Sequence, residues 1–265
     1  MEAGFVQAGA VRLQCFVHGT GSETIVFVHG YEASGRIWRM VQAALDPTRY
    51  RTIALSNRGA GDSDRSPREE DYFIESFAAD LYAAVQAEGL RDFTLVGHSM
   101  GGATVTSYAL DHQDTLKALV LLNSASLDAQ SRILHPLTPE QRQALDAIDR
   151  SRAPKEFLDA LLADMARNPP ERLSGGRKSM GRLHLRERLG ELHVPVLVVG
   201  GDRDDLVGVD NILREYLALP RAYRSLQIFH GVAHAPNIGV PNELAGVLDR
   251  FVSSVSVRRA FVPKT

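Results

Sequence analysis

Short β-rich apolar runs alternate with amphipathic helical runs along most of this chain, and that rhythm restricts its fold more than any other feature. Residues 11–17 are β-rich, residues 19–21 read as a turn, and residues 24–28 form a β-branched run ending in His29-Gly30. Residues 51–55 make another short strand before a polar, Gly-containing loop over 56–64. Phe73, Phe77, Leu81 and Val85 then fall four apart, one face of a helix that Gly89 stops. Residues 93–96 are the next strand, Gly101-Gly102 opens a second helix, and residues 117–122 form a further strand. The same rhythm returns late in the chain, with strands over 194–199 and 225–229 and a helix over 209–217. A last helix carries Leu244, Val247, Leu248, Phe251, Val252 and Val255 on one face. Strands alternating with helices imply a mostly parallel sheet covered on both faces.

The rhythm breaks once. Residues 1–123 and 193–265 are expected to form the α/β core, and residues 124–192 a helical cap inserted into it. Within the insertion, Thr138-Pro139-Glu140 has the form of a helix start. Leu158, Leu161, Leu162 and Met165 give an apolar stripe that Pro169-Pro170 interrupts. Ligands of open α/β sheets bind beyond the carboxyl ends of the strands, and an insertion after a strand end would lie over that place.

The motif that carries chemistry is Gly97-His98-Ser99-Met100-Gly101, a G-x-S-x-G at a strand-to-helix turn. Such a turn lifts the serine hydroxyl clear of the sheet, and small residues on either side relieve the crowding. Serine needs a base, itself oriented by an acid. Of the nine histidines, His29 and His98 flank turns and read as structural. His112, His135, His184 and His193 lie on helices or strand approaches without loop signals. His230 and His234 both follow the last strand, and the Gly231–Pro236 loop favours His234 because it can swing a ring toward the sheet. The acid belongs in the loop after the 194–199 strand, where Asp204 sits midway. Asp202 and Asp205 there read as solvated or paired with Arg203. The order Ser, Asp, His fits this arrangement. Two backbone N–H groups should face the developing oxyanion. Met100 supplies one, and Tyr31, just past His29-Gly30, is expected to supply the other, its ring either lining the pocket or simply packed.

Composition excludes several alternatives. The 265 residues are 44% hydrophobic, enough for a sizeable core. Thirty Lys+Arg against 32 Asp+Glu give a net charge of −2, with no bulk attraction to nucleic acid or an anionic membrane. One cysteine, Cys15, forms no intrachain disulfide and reads as a small buried strand residue. Residues 1–10 lack a basic cluster followed by an apolar run, so no cleaved signal is expected, and a cytoplasmic location fits. No zinc-ligand spacing, P-loop or G-x-G-x-x-G occurs, and Gly59-Ala60-Gly61 is too short for dinucleotide binding, so neither metal nor organic cofactor is expected. Between residues 172 and 188, Arg172, Arg177, Lys178, Arg182, Arg186 and Arg188 face only Glu187. If that stretch is one helix, Lys178, Arg182 and Arg186 form a basic stripe, either a solvated lid face or a steering surface for anionic substrates.

Together these features resemble the α/β-hydrolase superfamily, and within it the small serine esterases, lactonases and perhydrolase-like members. The resemblance runs from the strand before His29 to the final helix. It includes Trp38, Arg58-Gly59-Ala60-Gly61-Asp62-Ser63, the Ser99 turn, residues 201–207 and the His234 loop. It supports Asp204 as the acid through the family's Asp-x-x-Val/Thr-Pro pattern, from which Gly208 departs. Ser56, where an aspartate commonly stands, is a second departure. The resemblance implies a hydrolase that opens a small-molecule ester or lactone through an acyl-enzyme, with no cofactor. Thioesterase, C–C hydrolase, perhydrolase or a non-hydrolytic ligand-binding or lyase role remain alternatives. A serine at this turn sets the chain apart from the dehalogenases and epoxide hydrolases of the fold, which use a carboxylate there. An exposed apolar stripe on the insertion would allow homo-oligomers.

Overall fold

The four central strands read as apolar along nearly their whole length, because both of their faces are covered. The computed structural model describes residues 2–125, 127 and 151–261. Eight strands form one sheet in the order β1-β2-β4-β3-β5-β6-β7-β8. They are β1 (Glu2–Ala8), β2 (Val11–His18), β3 (Glu23–Val28), β4 (Tyr50–Leu55), β5 (Phe93–His98), β6 (Leu116–Leu122), β7 (Val196–Gly201) and β8 (Arg224–Phe229). From β4 to β8 every neighbouring pair is parallel, while β1–β2 and β2–β4 are antiparallel.

Successive residues of a strand point to opposite faces, so each central strand feeds two cores. Val26 and Val28 pack on one side with Phe77, Leu81 and Val85 of α2 (Ile74–Ala87), Ala103 of α3 (Met100–His112) and Ile212 further along. Ile25 and Phe27 pack on the other side with Val41 of the short α1 (Arg39–Ala44) and with Leu248 and Val252 near the C-terminus. The elements expected from periodicity are present, with ends moved by a residue or two. The sequence reading missed β1, an edge strand whose alternating exposure and weak β composition resemble a polar leader. Gly9, at φ +62°, turns it back onto β2 with Val6 opposite Leu13. α1 was missed as well, being only six residues long.

The segment after β6 contains α4 (Lys155–Ala166) and α5 (Pro170–Met180), separated at Pro169-Pro170 as the prolines require. The helix start at Thr138 and His135 lie outside the described residues. Leu161 is buried, but Leu162 is 43% exposed, and Asp164 occupies the inward face in its place. The basic stripe does not form. α5 ends at Met180, so Lys178, Arg182 and Arg186 do not share a helix. Lys178 pairs with Glu69 at 2.6 Å, the Arg182 guanidinium lies over the Phe73 ring, and Arg186 opens a 3-10 turn. Arg172 is buried. The chain closes with α6 (Val209–Ala218), α7 (Pro236–Gly239) and α8 (Pro241–Phe261). Cys15 is buried, and burial raises its thiol pKa, as fits an inert core residue. Among the described residues no helix is long and apolar enough to cross a membrane, and no cluster of ligating side chains could hold a metal.

Candidate active site

β5 delivers Ser99 into a turn so tight that the residue takes φ +54° and ψ −124° before α3 begins. That conformation is strained for any residue with a Cβ, and its surroundings hold it in place. Ser99 N–H donates to Leu122 O, and its carbonyl accepts from the N–H groups of Gly102 and Ala125. A Cβ on Gly101 would lie 2.5 Å from the Val28 carbonyl oxygen, and one on Gly97 would lie 2.4 Å from that of Gly101. Glycine is therefore required at both flanking positions, as the motif suggested.

The three expected side chains meet. Ser99 Oγ lies 2.9 Å from His234 Nε2, and His234 Nδ1 lies 2.9 Å from Asp204 Oδ2. Asp204 is 3% exposed and also accepts from Asn123 Nδ2 and from the N–H groups of Leu206 and Val207. Burial opposes its charge, but the attraction of His234 and these hydrogen bonds win and lower its pKa to about 2. An ionised Asp204 can only accept, so His234 Nδ1 carries the proton and Nε2 is left to accept the Ser99 hydroxyl. This is a relay able to withdraw a proton from Ser99 as it attacks.

The rival candidates pair with each other. His230 Nδ1 lies 2.7 Å from Asp202 Oδ2, and Gly231 N–H donates to the same carboxylate. The His230 side chain is 90% exposed. Asp202 is thus engaged by His230 where the sequence suggested solvent or Arg203. Gly208, the family departure, adopts φ +84°, which a proline ring cannot reach, and its N–H donates to the Asp204 carbonyl. Ser56 is fully buried and accepts from Gly35 N–H, pinning the turn that follows Tyr31.

His29 and His98 are structural, as expected, and both shape the site. His98 Nε2–H donates to the His234 carbonyl at 2.8 Å, and the Trp38 indole packs against the His98 ring. His29 Nδ1–H donates to Gly30 O at 2.7 Å, while its Nε2 accepts from Asn57 N–H at 2.9 Å. Burial lowers both rings to a pKa of about 3, so both are neutral at neutral pH. Because a trans peptide points its C=O and N–H in opposite directions, fixing Gly30 O also aims the Tyr31 N–H. A Cβ on Gly30 would lie 3.0 Å from Ser99 Cβ, so this peptide runs beside the serine. Met100 N–H belongs to the first turn of α3, where helix geometry supplies no partner. Among the described residues neither Tyr31 N–H nor Met100 N–H has a hydrogen-bond acceptor. The Tyr31 phenol donates to Leu173 O, which leaves the ring packed under α5.

Two contributors escaped the sequence reading. Asn123 directly follows β6 and bonds Asp204 at 2.5 Å. Its place just past a strand next to the acid's strand was the only available signal. Arg172 registered only as one charge of the basic run, yet it bonds Tyr31 O.

Comparison with known proteins agrees with the geometry. A family model described as the alpha/beta hydrolase fold matches residues 23–149. A non-heme chloroperoxidase of Kitasatospora aureofaciens is 28% identical over 79% of this chain and 84% of its own length. A pimeloyl-[acyl-carrier protein] methyl ester esterase of Photorhabdus laumondii is 27% identical over 88% of this chain and 93% of its own. The crystal structure of an esterase from Exiguobacterium antarcticum superposes with a TM-score of 0.79 at 19% identity, covering 95% of this chain and all of that one. With its sheet order and strained serine turn, this chain has the α/β-hydrolase fold.

Proposed function

We propose that this protein is a serine hydrolase that opens a carboxylic ester or lactone of a small molecule through an acyl-enzyme. The observation that carries the reading is the continuous Asp204–His234–Ser99 relay, with both hydrogen bonds at 2.9 Å, beside two N–H groups that have no acceptor among the described residues. In this reading His234 Nε2 takes the Ser99 proton while Oγ bonds the carbonyl carbon. The carbonyl π electrons move to oxygen, and Tyr31 N–H and Met100 N–H stabilise that oxyanion. His234 then gives its proton to the departing alkoxide as the C–O bond breaks. Water, deprotonated by His234, attacks the acyl-enzyme, and Ser99 regains its proton as the acid leaves. Asp204 stays ionised throughout and holds the ring in the required tautomer. The helical segment around α4 and α5 acts as the cap that shapes the acyl pocket. No step calls for a metal or an organic cofactor. Support for ester chemistry comes from the esterase relative and from the serine at the turn.

The test is a panel of p-nitrophenyl esters of increasing chain length beside lactones and thioesters, with wild type and Ser99→Ala. Wild type should show burst kinetics on at least one activated ester, and Ser99→Ala should fold yet lose nearly all turnover. Turnover surviving in Ser99→Ala would overturn the acyl-enzyme mechanism.

A further inference from the structure

Two successive carbonyls of the turn after His29 are held by side chains that come from the cap. Arg172 Nη1 donates to Tyr31 O at 2.6 Å, and Asn168 Nδ2 donates to Glu32 O at 2.7 Å. Asn168 Oδ1 also accepts from Arg172 Nη1 at 2.7 Å, so the two act as one clamp. Among the described residues no backbone N–H reaches the Tyr31 carbonyl. α5 also lies close over this turn, since a Cβ on Gly176 would come within 3.2 Å of the Tyr31 ring and 3.3 Å of Met100 Sδ.

Arg172 is 1% exposed, and its Nε and Nη2 have no hydrogen-bond partner among the described residues. Burial pulls its pKa down to about 10. A buried cation so incompletely satisfied opposes folding, so its presence needs an account other than stability. Its hydrogen bonds to Tyr31 O and Asn168 supply one. We infer that Arg172 is a positioning residue: by holding Tyr31 O it lets the cap lock the peptide on the far side of the Tyr31 α-carbon, so that the Gly30–Tyr31 peptide, anchored at Gly30 O by His29, keeps its N–H aimed at the reacting oxygen. The cap in this view does more than select substrate, because half of the oxyanion site exists only when the cap is seated. The same cation reinforces the neighbouring peptide. After burial, the charge of Arg172 is the largest influence keeping His29 neutral, and a neutral His29 can accept from Asn57 while donating to Gly30 O. The peptide on the far side of the Tyr31 α-carbon is thus held by Arg172 and the near one by His29.

The inference rests on the acyl-enzyme reading, and its test separates the two. Arg172→Lys, Arg172→Met and Asn168→Ala are compared with wild type on an activated ester, with rates expressed per active site counted from burst amplitude. Arg172→Met should lose roughly 10- to 100-fold in kcat with little change in KM, somewhat less than deleting an oxyanion donor outright. Arg172→Lys should recover part of that loss, and Asn168→Ala should lose less. Affinity for a phenylboronic acid, which forms a tetrahedral adduct on serine, should fall by the same factor as kcat; partial unfolding would lower burst amplitude instead. Per-site kcat and boronate affinity at wild-type level in Arg172→Lys and Asn168→Ala would overturn the inference, as would a loss confined to KM. Those two variants decide alone if Arg172→Met fails to fold. A wild type with neither burst nor boronate inhibition would overturn the acyl-enzyme reading itself, and this role with it.

Discussion

The two N–H groups beside Ser99 are held in different ways. Met100 N–H is fixed by the sheet, because the backbone of Ser99 is bonded to Leu122, Gly102 and Ala125 and the flanking glycines permit no other path. Tyr31 N–H is fixed by side chains, with His29 below it and Arg172, Asn168 and the Leu173 carbonyl above. One half follows from a local motif, and the other is assembled from residues some 140 positions apart in sequence. A fold can therefore keep its nucleophile turn unchanged while the cap alters how well the opposite half is organised.

The sheet-held half should give the largest effects. His234→Ala and Asp204→Asn are each expected to lower kcat by about 10³- to 10⁴-fold, whereas His230→Ala and Asp202→Asn should stay within a few-fold of wild type. Steady-state kinetics on one activated ester would check this, and the larger loss at His230 or Asp202 would reverse the assignment of base and acid.

The cap-held half should show itself in stability. Asp164 on α4 is 3% exposed and joins Ser34 Oγ, Arg36 and Arg167. Asp164→Ala strands the partly buried Arg36 and is expected to cost about 3 kcal/mol, lowering Tm by roughly 6–12 °C for a chain of this size. Asp62→Ala removes the exposed pair with Arg167 and one hydrogen bond from Gln14 Nε2, and should cost less, about 1–2 kcal/mol. Equal effects in thermal melts would mean that the cap does not depend on its buried tie.

Acid should weaken both halves together. His29 and His98 titrate near 3 when folded, below the ordinary value of 6.5, so the unfolded chain takes up two protons that the native one refuses. Their contribution is complete above pH 6.5 and is lost as pH falls toward 3. Between pH 6.5 and 5.5 these two rings should remove about 2 kcal/mol, read from urea midpoints. A flat profile over that range would show that the rings are not held neutral.

The same contrast explains what the sequence could reveal. Ser99, Asp204, His234 and the strand rhythm were legible because each is set by local spacing or by chain order. Arg172 was not, since its burial depends on α5 packing over the Tyr31 turn, and a basic run gives no hint of which charge turns inward. β1 was missed for a different reason: an edge strand has one solvated face and needs no apolar run. Gly208 departs from the family's proline, yet its positive φ and its N–H donated to the Asp204 carbonyl make it part of the acid's support.

The central claim, that Ser99 is the nucleophile activated by His234, is tested most directly by fluorophosphonate labelling followed by peptide mass mapping. The account predicts one adduct per chain, on Ser99, formed far more slowly in His234→Ala. An adduct on another residue, or equal labelling rates in wild type and His234→Ala, would contradict it.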